Sequence, residues 1–523
     1  MSTFGELRRE MCPLQLIWVC LRQRFVWWGR NSLKGRSSPE DGVKYAPVMP
    51  TERGVKMRDT SDVTRRLWSL CSVLRDEGVT YHEYLNELTY LLFLKLAAEL
   101  GMEGRLPTNC RWAALREKSS DEVPEFYVGL LERLGNSPDT TVSKIYGEAE
   151  TRLTSGAALR RLIEGIDEID WYRARQNGLG DVYEGLIEKN AQESRYGTGQ
   201  YFTPRAVVDA LVQAVNPTSR DTVYDPAAGT AGFLVAAGLH TKSNGDEQPR
   251  LHGIELVHDV QRMGLMNMLL HDLQGEIELG DSLSRDPSAF KVSVCLTNPP
   301  FGVKGNLSKT QSRHMDYPTS NKQLGFFQHI YKSLSPGGRA AVVVPDNVLF
   351  EAGAASSIRT HLLDNYRLHT ILRLPTGIFY ATGIRTSVLF FCADGPTTST
   401  WVYDLRSSTS FTKRRPLGVS DLQDFLECYG SDPLGRAERQ ETDRFRCVSR
   451  EELRSAEDRL DLAGTSRNQK VVESAQRTPH DLAVSLLDHV TAAQLAIREV
   501  EEMLRDESLE SAAQQDSTEV GEA

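Results

Sequence analysis

Long apolar runs are missing from this sequence of 523 residues, and so are cysteine pairs, a basic excess and any internal repeat. A membrane span needs ~18 consecutive apolar residues. The best local stretch, "LQLIWVCLRQRFVWW" (Leu14 to Trp28), is cut by Arg22 and Arg24. No small-residue cleavage site follows it, so neither a membrane anchor nor a secretory leader is expected. The eight cysteines form no CxxC pair, and several sit in apolar runs as small core residues. A reduced, cytoplasmic chain without structural zinc is the expectation. The eleven histidines are dispersed, and "HEYLN" from His82 has Asn86 where HExxH needs its second histidine. A metal-centred mechanism is therefore not expected. The formal net charge of -10 argues against a chain that grips nucleic acid unaided, because neutralising phosphates takes clustered Lys and Arg.

The length is too great for one ordinary core and predicts several packed units. Residues 1–56 carry no sustained period and read as a poorly ordered extension. Met57 opens an ordinary domain start, so the preceding segment could reflect a misassigned start codon. Residues 57–193 show apolar spacings of three and four, as in "YHEYLNELTYLLFLKLAAELG", which predicts a helical domain with a stop at Gly101. From Gly197 the texture changes to short strands alternating with helices. Strands are expected at 222–225, 251–255, 276–279, 292–297, 339–344, 369–374 and 386–392, with helices at 205–215, 232–239, 257–272 and 321–334. This alternation predicts an α/β, doubly wound, mostly parallel sheet with right-handed crossovers. The short Gly-containing link between the last two strands makes one edge strand antiparallel. Residues 435–523 read as a polar linker, one helix and an acidic tail.

"TVYDPAAGTAGFL" is a strand, a turn and a helix start. Asp225 ends the strand, and Gly229 and Gly232 open the helix, placing backbone N–H groups and a carboxylate at the sheet edge where open α/β sheets bind ligands. The phosphate-cradling form, GxGxxG, is absent. A carboxylate at the head of the loop suits a cofactor with a positive centre. Glu255 ends the next strand, where an acid can hold two ribose hydroxyls, and Asp281 ends a third, where it can accept from an adenine amino group. Three acids at successive strand ends point to an adenosyl ligand. In "VCLTNPPFG" an apolar strand runs into Asn298, Pro299, Pro300 and Phe301. Proline cannot continue a central strand, so a rigid polar group is left at its end.

"GQYFTPR", "DPAAGTAGFL" and "NPPF", in that order, resemble the adenine-N6 DNA methyltransferases, in particular the modification (M) subunits of type I restriction-modification enzymes, from about Leu67 to Leu434. The resemblance implies a Rossmann-like methyltransferase domain at 194–434. It also implies that Gln200, Tyr201, Phe202, Thr203, Pro204 and Arg205, with Thr230, Ala231, Gly232 and Glu255, contact S-adenosylmethionine, while Asn298 to Phe301 hold the target base. Ala228 and Ala231 depart from the commoner wording "DPACGTGGFL" but remain small. An adenine amino nitrogen is a poor nucleophile because its lone pair is delocalised. Acceptors at Asn298 and the Pro299 carbonyl would favour a tetrahedral nitrogen aimed at the methyl group, with no metal needed. Phe301 would stack on a base flipped from the duplex.

The chain beyond Asp394 offers little room for a target-recognition domain. The resemblance supplies the missing reader as a specificity (S) subunit binding two M copies on DNA, with a restriction (R) subunit in the full complex. Leu486, Val490, Ala493, Ile497, Val500 and Leu504 give the last helix a coiled-coil rhythm for that partner. Competing readings are a protein-glutamine or rRNA N-methyltransferase, whose Asn-Pro-Pro is usually followed by Tyr, and a non-catalytic scaffold of the same fold.

Overall fold

A computed structural model describes residues 53–193, 203–301, 308–379, 384–406, 411 and 415–461. The extension before residue 53, the residues Gln200 to Phe202 and the expected C-terminal helix lie outside the described residues.

The first part is helical, as its apolar spacing requires. Helix Arg53–Asp76 is followed by Tyr81–Glu99, whose start is held by the Glu83 carboxylate accepting from the Thr80 N–H at 3.0 Å. Gly101, at φ +70°, ends that run in a conformation that favours glycine. Asp139 accepts from the N–H groups of Thr141 and Val142, both at 3.0 Å, and so starts helix Thr140–Tyr146. The leucine stripe of Tyr81–Glu99 is core: Leu88, Leu91 and Leu94 are fully buried in a cluster that continues into the sheet-bearing part through Val207, Leu211 and Leu234. Cys71, Cys110, Cys295 and Cys392 are buried, and burial pushes the thiols of Cys71 and Cys392 up to about 12.

The second part is a nine-stranded sheet of β1 (Thr222–Asp225), β2 (Arg250–Glu255), β3 (Glu276–Leu279), β4 (Val292–Thr297), β5 (Leu334–Pro345), β6 (Arg367–Arg373), β7 (Thr386–Cys392), β8 (Ser399–Asp404) and β9 (Phe445–Ser449) in the order 3-2-1-4-5-7-6-8-9. Strands β1 to β5 pair in parallel. The expected hairpin of β6 and β7 is present, but the antiparallel β7 lies between β5 and β6 rather than at an edge. Every residue of β7 is buried, which suits its apolar run from Val388 to Cys392 to the sheet centre. Two strands not expected from the sequence, β8 and β9, extend the sheet past residue 434, with Trp401 stacked on Phe445 at 4.7 Å.

Helix His258–Leu270, between β2 and β3, joins the two parts. Its Arg262 is fully buried and donates to the carbonyls of Ile145 and, at 2.9 Å, Gly147, with its guanidinium 4.9 Å from the Tyr90 ring centre. Strand order reverses between β1 and β4, so a crevice opens at their carboxyl ends.

Candidate active site

Asp225 stands at the crevice, only 1% exposed. Its Oδ1 accepts from the Thr297 hydroxyl at 2.6 Å, across the strand reversal, and from the Ala227 N–H at 3.0 Å. Burial, with the neighbouring Glu255 charge adding to it, raises this carboxyl to about 7.

The turn after Asp225 is built by backbone. Ala228 donates to the Ile254 carbonyl at 2.9 Å, Gly229 adopts φ +54°, and Ala231 adopts φ +64° before helix Gly232–Ser243 begins. That left-handed position costs alanine about 1–2 kcal/mol, which is the physical reason glycine is the commoner residue there. The Gly229 N–H donates to Glu255 Oε2 at 2.8 Å, and Val257 N–H to Oε1 at 2.9 Å. Glu255 is thus fixed at the end of β2, and burial raises its carboxyl despite the two donors. Leu256, next in sequence, is 64% exposed at the same opening. Asp281 is more heavily committed: Oδ1 accepts from Leu283 N–H at 3.0 Å, and Oδ2 from Ser284 Oγ at 2.7 Å and Gln311 Nε2 at 2.8 Å.

Asn298 follows β4. Its Nδ2 donates to the Thr203 hydroxyl at 2.9 Å, while its Oδ1 is buried without a hydrogen-bond partner. Pro299 is buried and Pro300 half-buried, so the backbone holding that oxygen is stiff. Phe301 meets Phe379 edge to face, with ring centres 5.6 Å apart. Arg205, at the start of helix Arg205–Val215, pairs with Glu184 and, at 2.9 Å, with Asp209.

One cavity of about 800 Å³ brings most of these groups together: Thr203 and Arg205, Asp225, Gly229 with Thr230 and Gly232, Glu255, Asp281, and Asn298 with Pro300 and Phe301. Pro204, Ala231 and Pro299 are buried and do not line it. Sequence reasoning missed Asn267, whose Nδ2 holds the Thr230 carbonyl at 3.0 Å and whose buried Oδ1 has no hydrogen-bond partner. A lone amide in the apolar run "MGLMNMLL" was the available signal. It also missed that the helical part walls the cavity through Asp181, Glu184 and Lys189 of helix Leu179–Glu193.

The N-6 DNA Methylase family model matches residues 174–473. The methylase subunits of the type I restriction enzymes StySJI, from Salmonella typhimurium, and EcoKI, from Escherichia coli K12, are each 39% identical over 514 residues, covering 86% of this chain and 96% of theirs. A solved structure from a type I restriction-modification system, described for complex assembly and conformational transition, superposes with a TM-score of 0.66 at 26% identity, covering 85% of this chain and 98% of that one. The crevice, its acidic strand ends and the Asn-Pro-Pro-Phe wall are those of a chain that belongs to the N-6 DNA methylase family, among the methylase subunits of type I restriction enzymes.

Proposed function

We propose that this chain transfers a methyl group from S-adenosylmethionine to the N6 amino group of an adenine flipped out of DNA, and that Asn298 receives the amino group. The observation that carries the reading is Asn298 Oδ1: a buried, partnerless acceptor on a proline-stiffened strand end that faces the cavity holding Asp225 and Glu255. Leaving such an acceptor unpaired costs ~1–3 kcal/mol. An amino group arriving there removes that cost.

The residues present fit the cofactor. Glu255 is oriented by two backbone donors and keeps lone pairs for ribose hydroxyls, Leu256 offers an exposed apolar face to a purine, and the cavity falls in the usual range for a small-molecule site. When bound, S-adenosylmethionine supplies an electrophilic methyl group on a sulfonium. Asn298 Oδ1 and the Pro299 carbonyl accept from the two amino hydrogens and leave the nitrogen lone pair directed at that methyl group. Phe301, braced by Phe379, offers a face for the extruded base, worth ~1–3 kcal/mol against the few kcal/mol of flipping. Methylation of a protein glutamine or of rRNA is the weaker reading, because the 39% identical relatives are DNA restriction-enzyme methylase subunits.

As a methylase subunit the chain works in an assembly. A specificity subunit supplies the sequence reading, two copies of this chain bind each such subunit through the segment around Ile497, whose apolar spacing is that of a coiled coil, and a restriction subunit completes the enzyme. The test of the chemistry is Asn298→Ala in the purified assembly. Tritiated-methyl transfer should fall more than tenfold, each decade being ~1.4 kcal/mol of transition-state stabilisation, while calorimetric affinity for S-adenosylmethionine stays within about twofold. Retention of more than a tenth of the rate, or loss of cofactor binding, would overturn the assignment.

A further inference from the structure

His271 lies just past helix His258–Leu270, with its side chain 6% exposed. Its Nδ1 is 2.9 Å from the Asn267 carbonyl oxygen, a group that only accepts, so Nδ1 carries the proton and Nε2 presents a lone pair. That buried Nε2 has no hydrogen-bond partner. A Cβ on Gly180 would stand 2.3 Å from Nε2 and Cε1 and 2.4 Å from Cδ2. These near-equal distances put the glycine on the ring face rather than in line with the lone pair. In helix Leu179–Glu193, Asp181 and Glu184 share a face by their spacing, and one carboxylate oxygen of each lies within 4.8 Å of the other and of Nε2.

We propose that Asp181, Glu184 and His271 bind a divalent transition-metal ion at the seam between the helical part and the sheet. One imidazole nitrogen with two carboxylate oxygens is a donor set for Zn²⁺ or Mn²⁺. A carbonyl that fixes the histidine tautomer from behind is the usual outer support of such a ligand. Asp181, Glu184 and Asp209 all act on Arg205. Glu184 meets Arg205 through Oε2, which leaves Oε1 to the ion. Ligand atoms around a bound ion stand about 3–3.5 Å apart. The 3.9 Å between Asp181 Oδ1 and His271 Nε2 closes to that with a small swing of Asp181, whose side chain is more than half exposed. The ion has no part in methyl transfer. It ties the cavity wall to the helix that carries Asn267 beneath the Thr230 carbonyl.

The experiment uses the untagged full chain, stripped with a chelator and titrated with Zn²⁺ and with Mn²⁺. Bound metal is measured by mass spectrometry after dialysis, and the thermal midpoint is followed in parallel. The expected result is roughly one ion per chain and a higher midpoint with metal. Both His271→Gln and Asp181→Asn should lose the ion. If His271→Gln does not fold, the exposed Asp181→Asn decides alone. Stripped wild type that takes up no ion, or an Asp181→Asn chain that binds it as wild type does, overturns the proposal.

Discussion

Asp225 gives the clearest consequence of burying a charge. An aspartate in the unfolded chain loses its proton near pH ~3.9, whereas in the folded chain this one holds it to about 7. Between those values the folded state binds more protons than the unfolded state, so this group's contribution to stability is present at low pH and is lost as pH rises toward 7. Asp225→Asn keeps acceptors for Thr297 and Ala227 but cannot titrate. Thermal midpoints of the cofactor-free chain from pH 4.5 to 7.5 should show the variant gaining on wild type as pH rises, by on the order of a few kcal/mol. Parallel curves would show that Asp225 is ionised throughout. Asp225, Glu255 and the Asn298 to Phe301 wall were legible in the sequence, because acids and prolines at strand ends have few other uses. Asn267 was not, since one amide on an apolar helix looks like core until the carbonyl it holds is seen. Asp281 was legible as a strand-end acid and its capping of Leu283 and Ser284 is local, but its engagement by Gln311 depends on a segment 30 residues away.

Helix His258–Leu270 serves two neighbours at once. One side carries Arg262 into the helical part, and the other carries Gly264, where a Cβ would lie 3.1 Å from the Gly229 carbonyl oxygen. Arg262→Leu removes the donor from the Ile145 and Gly147 carbonyls, and unpaired buried acceptors cost ~1–3 kcal/mol each. Urea unfolding should show a loss of roughly 2–4 kcal/mol, with cofactor affinity falling as well because the same helix supports the glycine turn. A loss below about 0.5 kcal/mol would mean that water or another donor replaces the guanidinium. Strands β1, β3, β4 and β7 fall where the sequence places them: β4 and β7 are short, largely apolar runs, and β3, "EIEL", alternates charged and apolar residues. The insertion of β7 between β5 and β6 was not legible, because a hairpin fixes which strands are joined but long-range packing decides which neighbour fills the other edge. Strand β9, "FRCVS", has only two buried residues in five, too few to show an alternating signal.

At the scale of the molecule, the proposed cofactor site and the proposed partner surface fall on different stretches of chain. Removing residues 462–523 should leave S-adenosylmethionine affinity within about twofold of the full chain, because the cavity is lined between Thr64 and Phe326. Co-purification with the specificity subunit should be lost. A truncated chain that still assembles would place that contact within residues 1–461. Sequence patterning gave the helical part only an internal role, because a leucine stripe reports the buried face and is silent about what the opposite face walls off. That wall has a consequence for synthesis. Residues as far apart as Thr64 and Phe326 line the cavity, so no early fragment on the ribosome has all of its walls, and at ~5–20 residues per second the helical part waits many seconds for the other wall. Donor capture would therefore mark the moment at which both walls are in place, and a labelled donor analogue would time it on stalled nascent chains of increasing length.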